Sequence, residues 1–146
     1  MAGRQDFTDE EWEQLRKGVT GAAVLVSVSD PGFFETFKEA GAAARHLKAA
    51  RGDSTSELVR ELAEAPASGF GLGMTPEQVE GETLGALRAG ASALQAKAPD
   101  EAPAYGQFVE DVARSVAAAA EDVGAAETRA IEKIRSALAS AQPQAG

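Results

Sequence analysis

Apolar residues recur along this chain in steps of three and four, the spacing of one face of an α-helix. Trp12, Leu15, Val19, Ala22 and Val26 make the first stripe. Val24, Leu25 and Val28 fill most of the remaining circumference of its second half, which predicts a helix central to its bundle. A second stripe, Phe33, Phe37, Ala40, Ala44 and Leu47, closes at Gly52. A short third carries Leu58, Val59 and Leu62 and stops before Pro66; a fourth carries Val79, Thr83, Leu87 and Leu94 up to Ala98-Pro99. The fifth begins within 100–104, presents Tyr105, Phe108, Val109, Val112, Val116 and Val123, and breaks at Gly124. The sixth runs from about Ala126 through Ile131, Ile134 and Leu138. No segment alternates with period two, so no strand is predicted. The expected fold is all-α: a compact bundle of about six helices in one domain over 1–146, with flexible ends at about 1–6 and 142–146.

Polar residues mark where these helices start. Thr8 with Glu11, Ser54 with Glu57, and Thr75 with Gln78 each read as a capping box, in which a hydroxyl caps a backbone N–H and the later side chain reaches back. Phe7 with Trp12 and Met74 with Val79 stand where a hydrophobic staple closes over such a start. Asp30-Pro31 offers a cap followed by proline at the first helical position. On the fourth helix Gly81, Gly85 and Ala89 stand four apart. Each helical glycine costs about 1 kcal/mol relative to alanine. Close approach of a neighbouring helix, internal or from a second copy, would compensate.

Composition narrows the function classes. Hydrophobic residues are 44% and charged residues 25%, a globular balance. The longest apolar stretch, 21–28, is too short to cross a bilayer, and no apolar run follows a basic start; no membrane insertion and a cytoplasmic location are expected. There are no cysteines, which removes disulfides, thiolate metal sites and cysteine nucleophiles. A net charge of −9 repels a phosphate backbone, so no nucleic-acid partner is expected. The densest basic run, Arg45, Lys48 and Arg51 with His46, reads as a solvated face near a helix C-terminus, where positive charge is favoured.

Catalytic motifs are lacking. Gly69, Gly71 and Gly73 resemble part of a dinucleotide fingerprint, but Met74 follows and no strand precedes. The single histidine, His46, rules out multi-histidine sites within one chain. An enzyme using the loop over 65–74 as a lid has no chemical residues behind it. The chain is therefore read as a non-enzyme.

One pattern repeats. Asp30-Pro31-Gly32-Phe33-Phe34-Glu35 and Asp122-Val123-Gly124-Ala125-Ala126-Glu127 both spell Asp-x-Gly-x-x-Glu, each at a helix–helix corner. The repeat suggests two related helical hairpins packed together. As plain structure, Asp30 is a cap and Glu127 suits the first turn of the last helix. Glu121 and Asp122 fit that account less well, because they fall in a last turn, where the helix dipole disfavours negative charge. Carboxylates beside free carbonyls offer the oxygen ligands that calcium or magnesium prefer.

The stretch from Tyr105 through Leu138 resembles the tellurite-resistance TerB-like family: a helix running into an Asp-x-Gly corner, then Glu127, Ile131, Ile134 and Leu138 on the next helix. The opening Phe7-Thr8-Asp9-Glu10-Glu11-Trp12 and the Asp30-Pro31 corner are similar to that family's first hairpin, and the resemblance covers about half of the chain. It implies an all-helical cytosolic module, linked to metal and oxidative stress, with acidic corners that bind a divalent cation and no catalysis. Carried over, the metal candidates are Asp30, Glu35, Asp122 and Glu127, with Glu121 added from the charge argument above. Pro31 and Phe33 stand where the family pattern calls for polar residues. The alternative is a helical interaction or homodimerisation domain whose acidic corners only cap helices.

Overall fold

The computed structural model describes residues 4–28, 42–52, 56–64, 73–119 and 125–140. They form six α-helices: α1 Asp9–Val28, α2 Ala42–Arg51, α3 Glu57–Glu64, α4 Pro76–Lys97, α5 Ala102–Ala119 and α6 Ala125–Ser140. Short 3-10 turns at Arg4–Asp6 and Pro99–Glu101 lead into α1 and α5. No strand occurs among the described residues, and the helices pack on one another as the expected all-α bundle. Several sequence expectations lie outside the described residues: the Asp30-Pro31 start, the side chains of Phe33, Phe37 and Ala40, Ser54, the loop over 65–72, Val123 with Gly124, and the tail over 142–146. The relation between two terminal hairpins rests on the same segments.

Helix starts follow local chemistry. At α1 the Thr8 hydroxyl accepts from the Glu11 N–H at 3.1 Å, and Glu11 Oε1 accepts from the Thr8 N–H at 2.9 Å. Phe7 and Trp12 stack over this start with ring centroids 6.3 Å apart, both buried. Thr75 and Gln78 repeat the box at α4, with bonds of 3.1 Å and 2.8 Å. Each such cap contributes about 1 kcal/mol. The third start differs from expectation. Helix α3 begins at Glu57, and Ser56, two residues beyond the expected Ser54, caps it by accepting from the Val59 N–H at 3.2 Å. The Ser56 hydroxyl also donates to Glu101 Oε2 at 2.7 Å, tying the start of α3 to the turn before α5. At the end of α2, Gly52 takes φ +49°, a left-handed turn that glycine accepts without strain.

Helix α1 is the axis of the bundle. It touches every other helix and packs most extensively against α4. Every residue from Gly18 to Ser27 is buried, as the apolar circumference predicts. The two long helices run antiparallel, because Leu15 lies against Gly90, Gly18 against Leu87, and Gly21 against Thr83. Their crossing is close. An added Cβ at Gly18 would stand 2.6 Å from the Tyr105 hydroxyl and 2.9 Å from Leu87. At Gly21 it would stand 2.4 Å from Thr83 Oγ1, and at Gly90 it would stand 3.0 Å from Leu15. Tyr105 reaches in from α5, fully buried, and its hydroxyl donates to the Leu15 carbonyl at 2.9 Å.

Within the chain, the glycines at the close helix crossing are Gly18, Gly21 and Gly90, and the row of Gly81, Gly85 and Ala89 is not used there. Gly81, Gly85 and Ala89 are exposed, and nothing lies within 4 Å of a Cβ built on either glycine. The apolar face of α4, with Val79, Thr83, Leu87 and Leu94 all buried, points the other way and carries Gly90. The core cluster then draws in Leu47 from α2, Leu58 and Leu62 from α3, Phe108 and Val112 from α5, and Ile134 from α6. No described helix is long and apolar enough to cross a membrane.

Candidate functional site

The five predicted metal candidates fall at the edge of what is described. Asp30, Glu35, Glu121 and Asp122 lie outside the described residues. Glu127 occupies the first turn of α6, with its side chain outside the described set. Among the described residues, no group of three or more His, Cys, Asp or Glu side chains gathers as a metal cage.

The end of the helix that leads into the first corner and the start of the helix that follows the second are described, and both border one groove. Leu25 and Val28 at the end of α1, Glu77 and Glu80 at the start of α4, and Arg129 and Lys133 near the start of α6 line one groove of about 230 Å³. Its floor is apolar and its two walls carry opposite charge. Lys133 Nζ pairs with Glu80 Oε1 at 2.5 Å, tying α6 to α4 across it. The elements that lead into Asp30 and out of Glu127 therefore sit at the same end of the bundle.

Elsewhere, three cationic side chains pair with carboxylates on neighbouring helices. Lys17 pairs with Glu82 at 3.2 Å and Lys97 with Glu11, so ion pairs tie α1 to α4 at two levels. Glu110 on α5 holds Arg135 of α6 at 3.2 Å and Arg114 at 3.6 Å. The Lys97 ammonium, helped by the Thr8 backbone N–H, holds the Glu11 carboxyl below its usual range. Pairs this exposed contribute about 0–1 kcal/mol each.

One chemistry-bearing contact was not foreseen from the sequence. His46 Nδ1 and Ser115 Oγ share a hydrogen bond of 2.8 Å between α2 and α5. Burial, then the Arg45 charge beside it, lowers the imidazole pKa from the ordinary 6.5, so the ring is neutral at physiological pH. A neutral imidazole against a serine hydroxyl has the form of a base and nucleophile. Ser115 sits inside α5, where the neighbouring backbone N–H groups belong to the helix ladder and are not oxyanion donors. The contact is a tie between two helices. Nothing in the sequence marks a pair 69 residues apart.

The basic run around His46 is only partly the solvated face expected. Arg45 and Lys48 are exposed, whereas Arg51 is half-buried, and its Nε is buried with no hydrogen-bond partner among the described residues. A second groove, of about 650 Å³, runs between α1 and α4 along Lys17, Gln78, Gly81, Glu82 and Gly85. No family model, curated protein or solved structure matches the chain.

Proposed function

We propose that this chain is a non-enzymatic, TerB-like helical module of the cytoplasm that takes a divalent cation, calcium or magnesium, at its acidic corners as part of a stress response. Asp30 and Glu35 serve one corner and Glu121, Asp122 and Glu127 the other. One observation supports the reading above the rest: Val28, which leads into the first corner, and Arg129, which follows the second, line the same groove. Carboxylates brought together at such corners would repel one another, and a hard cation with oxygen ligands would relieve that repulsion. A ligand that binds the folded state raises its stability by mass action.

Calorimetric titration at fixed ionic strength is the test. Millimolar calcium or magnesium is expected to give a saturable heat and a raised melting temperature, both lost in Asp122→Asn, with metal-free stability unchanged or slightly higher. No saturable heat, with the variant and the parent melting alike across cations, overturns the reading. A second reading, a homodimerisation domain whose corners only cap helices, draws support from the exposure of Gly81, Gly85 and Ala89. Sedimentation at several concentrations separates the two, since a strictly monomeric species removes the dimer.

A further inference from the structure

We draw no further inference here: the strongest candidate, the exposed face of α4 along Gly81, Gly85 and Ala89 beside the groove between α1 and α4, is a stripe of small residues with nothing in the structure to show what covers it.

Discussion

Alanine in place of glycine should have opposite effects at two sites on the two longest helices. In Gly21→Ala the new methyl would stand 2.4 Å from Thr83 Oγ1, 3.0 Å from Cγ2 and 3.1 Å from Cβ. Thr83 is fully buried and β-branched, so turning its side chain exchanges one clash for another. Relief requires α1 and α4 to shift apart at this crossing. Overpacking by one methyl costs about 1–3 kcal/mol, and this geometry belongs at the upper end. Replacing a helical glycine recovers about 1 kcal/mol. The net expectation is a loss of about 2 kcal/mol, which in a chain of this size lowers the melting temperature by roughly 4–8 °C. In Gly85→Ala nothing lies within 4 Å of the new methyl, so the propensity gain of about 1 kcal/mol stands alone and the melting temperature rises by about 2–4 °C. Urea and thermal unfolding of both variants measure the difference. Adding Thr83→Ala to Gly21→Ala removes two of the three clashing atoms and should give a favourable coupling energy in a double-mutant cycle. If Gly21→Ala melts at or above the parent, or the cycle shows no coupling, the close crossing of α1 and α4 is wrong.

Two further expectations concern a buried tyrosine and a half-buried histidine. Tyr105→Phe removes the hydroxyl that donates to the Leu15 carbonyl and should cost about 1 kcal/mol. Because a Cβ at Gly18 would meet that same hydroxyl at 2.6 Å, Gly18→Ala should destabilise less in the Tyr105→Phe background, and equal losses in both backgrounds would contradict the packing. His46 has a folded-state pKa below its ordinary 6.5, so between those values the unfolded chain binds more protons than the folded one. Its contribution is therefore fully present above about pH 6.5 and lost as pH falls through the folded pKa. Unfolding measured from pH 7.5 to 5.5 should show a steeper loss for the parent than for His46→Asn, and proton NMR of this single histidine should titrate below 6.5; parallel profiles, or a titration above 6.5, would remove the argument.

The fold was readable where its determinants are local. Thr8 with Glu11 and Thr75 with Gln78 satisfy one another across three residues, so the sequence alone locates both starts. Asp53-Ser54-Thr55-Ser56 offers four consecutive residues able to cap, and no local rule ranks them. The helix starts after Ser56, whose hydroxyl also reaches Glu101, 45 residues away. The glycines at the crossing of α1 and α4 escape a local reading for a different reason. Spacing among small residues does not say which face they share. Gly90 falls in step with Thr83, Leu87 and Leu94, whereas Gly81 and Gly85 stand two residues from the apolar positions on either side and face outward. Gly18 likewise sits in step with Leu15 and Ala22. A glycine in step with the apolar stripe marks the crossing. The candidate site was legible only as a pattern of acids, because sequence spacing cannot say which helix ends meet. His46 and Ser115 carry no mutual signal at all.

The crossing of α1 and α4 also bears on kinship. Two backbones this close admit hydrogen as the side chain at Gly18 and Gly21 on one helix, with a near-equal restriction at Gly90 on the other. An apolar core tolerates many exchanges of similar volume, so related chains can drift at Leu47, Val59 or Ile134 and keep their shape. They have far less freedom where the helices touch. Distant cousins of this chain should be recognisable less by overall likeness than by a small fingerprint: two glycines three apart on a long first helix, one in step with the apolar face of its antiparallel mate, and a tyrosine from a third helix pinned between them.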